Sequence, residues 1–324
     1  MMTGRFPSRR WLFLGLGILL AALILLPPIF PTYVTILITQ SLIYAIVAMS
    51  LDILIGYTGL GALGHAAFFA IGAYTTAILV THHQASLSST VLWSIVLAAG
   101  SSAAVAVLPL RAAGIYFLMI TLAIAMCVWG LAYRWVSLTG GDNGITGIPR
   151  PDLGLPWAMS DPVYFYYLIL VFFLVCTVLL FLLIRSPFGK TLVGIRDSET
   201  RMKVLGYNIW LHKYLAFVIA GAFGGLAGCL YAYYNSFVGP NDANLGICME
   251  LVLMVTLGGP GTLVGATLGA FIITFLKNMV SVYTERWLMV MAAVYVLVAL
   301  YAPDGIMGLV RDFQKRRQAA RGGE

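Results

Sequence analysis

Charge is scarce in this chain: Asp, Glu, Lys and Arg make up 10% of its 324 residues, against about 25% in a soluble domain. Hydrophobic residues make up 61% and mean hydropathy is +0.95, so the chain is an integral membrane protein. Cysteine is also scarce. Cys127, Cys176, Cys229 and Cys248 sit inside apolar runs with no paired spacing, which excludes a disulfide framework or thiolate metal site and leaves them as small core residues. There is no His-Glu-x-x-His, no Ser-centred nucleophile elbow and no Gly-x-x-x-x-Gly-Lys-Ser/Thr phosphate loop. The expected class is therefore not an enzyme, with no cofactor or metal of its own. Strict apolar/polar alternation is missing from runs such as Leu12 to Leu26 and Leu168 to Ile184, which argues against a β-barrel.

Apolar runs are what remains, at 11–30, 34–55, 61–80, 91–109, 114–133, 163–184, 214–237, 247–258, 262–277 and 287–302. A span needs about 20 residues, and lipid forces the backbone to satisfy itself as helix. The expected fold is all-α, one polytopic transmembrane bundle over residues 1–324 with about eight to ten spans. It divides into N-terminal spans (11–184), a polar segment (185–213), C-terminal spans (214–302) and a basic tail (303–324). Residues 247–277 either cross twice or form a helical hairpin broken at Gly258, Gly259, Pro260 and Gly261. The first run ends in Pro27 and Pro28 without a small-x-small site, so it reads as an uncleaved helix rather than a signal peptide.

Basic residues resist translocation. Arg5, Arg9 and Arg10, the central Arg185, Lys190, Arg196, Arg201, Lys203 and Lys213, and the tail Arg311, Lys315, Arg316, Arg317 and Arg321 all fall on one side of these spans. That side is expected to be cytoplasmic, with both termini there. The loop from Arg134 to Pro162 carries Asp142, Asp152 and Asp161 and falls on the other side. The net charge of +7 thus reflects topology and anionic headgroups rather than nucleic acid binding.

Small residues recur every four positions at Gly261, Gly265 and Gly269, at Gly221 and Gly225, at Gly224 and Gly228, and at Ala62, Ala66 and Ala70. Each set is a smooth helix face for close packing, either static or sliding during a transport cycle. Three ionisable residues fall within spans, and a charge in lipid marks a candidate translocation path. Each has a structural alternative. Asp52 either lines the path or snorkels near its helix end; His65 either lines it or is a neutral imidazole bonded to a backbone carbonyl; Glu250 either lines it or serves a helix N-terminus.

The central segment is more distinctive. From Lys190 to Leu205, Leu192, Ile195, Met202 and Leu205 share one helical face, while Lys190, Arg196, Asp197, Glu199, Arg201 and Lys203 occupy most of the rest. Pro187 and Gly189 turn the chain in, and Gly206 with Asn208 turns it out. This is an amphipathic helix on the cytoplasmic surface, either a solvated connector or a docking helix for a cytoplasmic partner.

The run Gly56-Tyr57-Thr58-Gly59-Leu60-Gly61-Ala62-Leu63-Gly64-His65-Ala66-Ala67-Phe68-Phe69-Ala70-Ile71-Gly72-Ala73-Tyr74 resembles the glycine-rich signature of the LivM family, the permease subunits of branched-chain amino acid ABC importers. Gly114-Ile115-Tyr116-Phe117 with Thr121-Leu122-Ala123, the loop Gly140 to Pro149, and Glu250 to Gly269 resemble further family segments, in order. Arg185-Ser186-Pro187-Phe188-Gly189-Lys190 through Glu199 and Leu205-Gly206 resembles the coupling segment that such permeases insert into an ATPase cleft. Glu199 precedes Gly206 by seven residues, and Thr200-Arg201 stand where the general importer pattern has two Ala. Asp52 stands where similar sequences usually carry an uncharged polar residue.

The resemblance implies an inner-membrane permease that pairs with a second related permease, two ATPase subunits that bind the ATP, and a periplasmic substrate-binding protein. It assigns ATPase coupling to Gly189, Lys190, Arg196, Asp197, Glu199, Arg201 and Gly206. The implied passenger is a branched-chain amino acid or a related small solute such as urea or an amide. The competing expectation is an ion-coupled secondary transporter using Asp52, His65, Glu250 and the Gly258 to Gly261 break.

Overall fold

The computed structural model describes residues 31–112, 114–151, 161–284, 286–301 and 305–308. The first expected span and the basic residues of both tails lie outside them. The described helices are α1 (Thr32–Asp52), which continues as a π-helical turn over Ile53–Thr58, α2 (His65–His83), α3 (Leu87–Ala106), α4 (Ile115–Arg134), the short α5 (Val136–Thr139), α6 (Pro162–Arg185), α7 (Pro187–Asp197), α8 (Glu199–Val204), α9 (Ile209–Asn235), α10 (Leu245–Gly258), α11 (Leu263–Tyr283) and α12 (Trp287–Tyr301). Sheet among the described residues is one antiparallel pair, β1 (Ile145–Thr146) against β2 (Phe237–Val238), with Ile145 opposite Val238.

Six of these helices are long and apolar enough to cross a bilayer: Thr32–Thr58, Leu87–Arg111, Ile115–Arg134, Pro162–Arg185, Ile209–Asn235 and Leu263–Tyr283. The chain is thus an all-α polytopic bundle, as the composition requires. Two boundaries differ from the hydropathy reading. The third run begins as helix at His65 rather than at 61, because Gly59 takes a left-handed φ of 75° and leaves residues 59–64 irregular. Helix α9 begins at Ile209, ahead of its apolar run, because the Asn208 side chain caps it by accepting from Leu211 N.

Helix α1 is the axis. It has no separate polar face and is almost wholly buried, and it packs against α6, α9, α10 and α11. Helix α9 packs in turn against α2 and α3. Glycine makes the close approaches. A Cβ on Gly228 would overlap the Phe69 carbonyl of α2, and one on Gly72 would overlap the Gly225 carbonyl of α9. Helices α10 and α11 pack against each other as a hairpin of one shorter apolar helix and one long enough to cross, with Gly258 against the Gly265 carbonyl and Gly269 against the Met254 carbonyl. Gly261 is not part of that helical strip. It sits in the hairpin turn at φ +81°, in a conformation that favours glycine.

The bundle has two distinct ends. Helices α7 and α8, the π turn after α1 and the turn of the hairpin gather at the basic end. The paired strands and the 3₁₀ turn Pro240–Ala243 mark the other, the strand end, where Tyr234 of α9 donates to the Ile36 carbonyl near the start of α1.

If these glycine contacts hold the bundle, Gly228→Ala destabilises the detergent-solubilised protein by about 1–3 kcal/mol, because the new methyl meets backbone on a facing helix. Gly100→Ala has nothing within 4 Å and leaves stability unchanged or raised by up to about 1 kcal/mol. Thermal unfolding followed by size-exclusion chromatography measures both.

Candidate functional site

The segment after α6 is shaped by local chemistry. Ser186 ends α6 and caps α7: its hydroxyl donates to the Leu183 carbonyl at 2.6 Å and accepts from Gly189 N at 3.3 Å. Pro187 fills the first turn, where its missing N–H is harmless. A Cβ at Gly189 would overlap the end of α6 at Ile184, so glycine permits the sharp bend. Leu192 and Ile195 are then buried against the bundle.

The single amphipathic helix expected from Lys190 to Leu205 is two helices. Ser198 breaks it, with extended backbone and a hydroxyl that accepts from Arg201 N at 3.3 Å. Serine here offers the chain a new cap in place of helix continuation. Met202 folds back over Gly194, while Leu205, expected on the buried face, is 65% exposed because α8 ends before it. Between α7, α8 and the start of α9 lies a groove of about 520 Å³, lined by Phe188, Lys190, Met202, Leu205, Tyr207 and His212. The His212 ring stacks on Phe188 with centroids 5.7 Å apart.

The charged coupling candidates differ in their partners. Lys190, Asp197, Glu199 and Arg201 are exposed, and Glu199, the first residue of α8, pairs with Lys213 at 2.6 Å. Gly206 makes the exit turn at φ +87°. Arg196 is exposed as well, and its Nη1 donates to the Gly56 carbonyl in the π turn. Beside it, Asp52 Oδ1 accepts from Gly261 N at 2.8 Å. Asp52 is fully buried, and its Oδ2 has no partner among the described residues.

The three ionisable path candidates do not converge on one site; each has a separate partner. His65, buried where α2 faces α1 and α9, bonds through Nε2 to the Ser50 hydroxyl at 2.7 Å, not to a backbone carbonyl. Ser50 donates to the Val47 carbonyl, which leaves its hydroxyl to accept from His65 Nε2–H. Glu250 does not cap α10, since Asn244 does so by accepting from Ile247 N at 3.0 Å. Instead Glu250 accepts from Lys277 of α11 at 2.8 and 3.1 Å.

Lys277 is the charge that the sequence reading overlooked. It closes an apolar run, and its partner is 27 residues away with no local signal joining them. Asp242, in the 3₁₀ turn, was also unassigned. Its carboxylate accepts from Gly239 N at 3.0 Å and lies within hydrogen-bonding reach of the Tyr231 hydroxyl. Burial raises its pKa above the usual carboxylate range, opposed by those hydrogen bonds and by the charge of Lys277. Tyr44 and Tyr231 stand beside these acids with rings 6.1 Å apart, so the half of the bundle nearer the strand end holds a polar, aromatic-walled cluster.

The model of the family described as branched-chain amino acid transport system / permease component matches residues 33–300. The chain is 30% identical over 315 residues to the high-affinity branched-chain amino acid transport system permease protein LivM of Escherichia coli (strain K12), covering 88% of this chain and 72% of that protein. It is 27% identical over 182 residues to the probable branched-chain amino acid transport permease protein LivM of Methanocaldococcus jannaschii, covering 51% and 52%. The autoinducer 2 import system permease protein LsrC of Salmonella paratyphi B is 30% identical over 275 residues, covering 77% and 78%. No solved structure matches.

The Glu250–Lys277 pair generates its own test. Glu250→Leu strands the Lys277 charge, at a cost of about 2–3 kcal/mol. This is less than for a fully buried pair, because Lys277 keeps 21% of its side chain exposed. The swap Glu250→Lys with Lys277→Glu recovers most of that loss, as a thermal-unfolding double-mutant cycle in detergent will register.

Proposed function

The chain belongs to the family of branched-chain amino acid transport permease components, a transporter subunit and not an enzyme, and from that premise we propose that separate ATPases drive it through α7 and α8. The observation that carries this reading is the basic end. Its surface-lying helix pair turns charges toward solvent, borders an open groove and is tied by Arg196 to the innermost helix. The partners are two ATPase subunits at this groove, a second related permease and a substrate-binding protein at the strand end. The basic end is then cytoplasmic and the strand end periplasmic, in a bacterial inner membrane.

Lys190 and Arg201, with Asp197 and Glu199, present the contact charges. Gly189 and Gly206 set the bends that hold the helix pair across the surface. Closure of the ATPases on ATP moves α7. Because α7 follows α6 directly and α8 leads into α9 through Glu199 and Lys213, those two spans move with it. The bundle then alternates between two packed states, and glycine faces without interlocking side chains suit such a change.

The passenger follows a path past Glu250 and the strand-end cluster, then past His65. A branched-chain amino acid suits the carboxylates and the ammonium of Lys277 there, since its ends carry both charges. For the ion-coupled alternative, a shared ion site built from Asp52, His65 and Glu250 lacks support: the three have separate partners, and Glu250 is already neutralised by Lys277.

The test uses the assembled complex. Lys190→Glu with Arg201→Glu is expected to lower copurification of the ATPase at least about tenfold, the effect of several rim charges reversed together, while the permease stays folded. ATP-driven uptake of leucine into proteoliposomes falls with it. Uptake that proceeds without ATP and collapses with a proton uncoupler sinks the reading.

A further inference from the structure

Arg196 is set apart from its neighbours on the helix pair. Arg196 is exposed like Asp197, Arg201 and Lys203, but its guanidinium also closes on the Gly56 carbonyl. That carbonyl belongs to a π-helical turn, a form concentrated at functional sites because it departs from the ordinary α-helical bonding pattern.

Three segments meet there with almost no side chain between them. A Cβ at Gly56 would overlap the Asp52 carboxylate and the backbone of Gly261. A Cβ at Gly261 would come within 3.0 Å of Arg196 Nη1, and one at Gly59 within 3.1 Å of Arg196 Cγ. The end of α1, the turn of the α10–α11 hairpin and the last turn of α7 therefore touch directly. Two side chains fasten them: Arg196 holds Gly56, and Asp52 holds the Gly261 N–H. The helix reached is α1, which contacts α6, α9, α10 and α11.

We infer that Arg196 and Asp52 are positioning residues that carry displacement of α7 into the hairpin turn and the central helix, with Asp52 serving as a hydrogen-bond acceptor rather than as a proton or ion carrier. Neither residue touches ATP or passenger. The link is short and made through backbone groups, so it moves as one piece. The orphaned Asp52 Oδ2 fits this role, because only Oδ1 is needed to hold Gly261. An asparagine offers the same acceptor without the charge.

This inference rests on the ATPase-driven reading, and the quantity that tests it is leucine transported per ATP hydrolysed by the reconstituted complex. Arg196→Ala is expected to leave ATPase copurification and basal hydrolysis in place and to lower that ratio about tenfold, the scale of one charge-assisted hydrogen bond lost from a coupling step. Asp52→Ala lowers it similarly, and Asp52→Asn restores it. A purely structural role would reduce the yield of complex and leave the ratio unchanged, which overturns the inference. So does an Asp52→Asn variant as impaired as Asp52→Ala, which would assign the work to the charge. Should Arg196→Ala fail to assemble, the two Asp52 variants carry the comparison alone. A wild-type complex with no ATPase activity defeats the underlying reading instead.

Discussion

Every backbone polar group in lipid has to find a partner inside the protein, and this constraint governs where the chain is allowed to be irregular. It departs from α-helix within its buried centre in few places, and each departure has donors or acceptors brought to it. The π turn after α1 has Thr58 returning its hydroxyl to the Ile53 carbonyl and Arg196 closing on the Gly56 carbonyl. The hairpin turn has Asp52 on the Gly261 N–H and the Thr262 hydroxyl on the Gly259 carbonyl. These two breaks lie against each other, so one polar junction satisfies both. Glycine is what lets them meet, since a Cβ on Gly56 or Gly261 would intrude on it.

Much of the architecture was legible because hydropathy and helix length are the same physics. The expected runs from 34–55 through 287–302 each coincide with a helix, and the helix break at Gly258 to Gly261 is present. What escaped the sequence was contingent on competition between near-equal local options. Ser198 caps a new helix where the apolar face alone reads as continuing, and Asn208 starts α9 ahead of its apolar stretch. The partner of Arg196 was also illegible. Helical periodicity puts it on the polar face, where it is exposed, but does not show that the neighbouring π turn brings the Gly56 carbonyl within its reach.

The charged groups show the same limit from another side. Sequence identifies Asp52, His65 and Glu250 as costly in lipid, and each does sit buried. It does not say what offsets the cost. The answers are a backbone N–H, a serine hydroxyl and a lysine from the neighbouring hairpin helix, each supplied by a different part of the chain. Such pairings depend on how helices are brought together, and no spacing along one helix encodes them. The strand-end cluster around Asp242, Tyr231 and Lys277 likewise arises from residues on separate elements.

The most hydropathic helix is not the most buried one, and the mismatch has a physical cause. Helix α6 has the highest mean hydropathy of the long helices yet is mostly exposed, while the less hydropathic Thr32–Thr58 is almost wholly buried. Val171, Val175, Val178 and Leu182 of α6 are exposed, a surface that water would penalise and lipid or another apolar helix accepts. The central helix meanwhile holds Thr35, Thr39, Ser41, Ser50 and Asp52 inside, most of them bonding within the protein. A soluble core excludes polar groups because water outside satisfies them better. Here the exterior offers no hydrogen bonds at all, so the interior becomes the place where polar side chains are least costly. That makes the interior the only place where a charged junction or a polar path can be built.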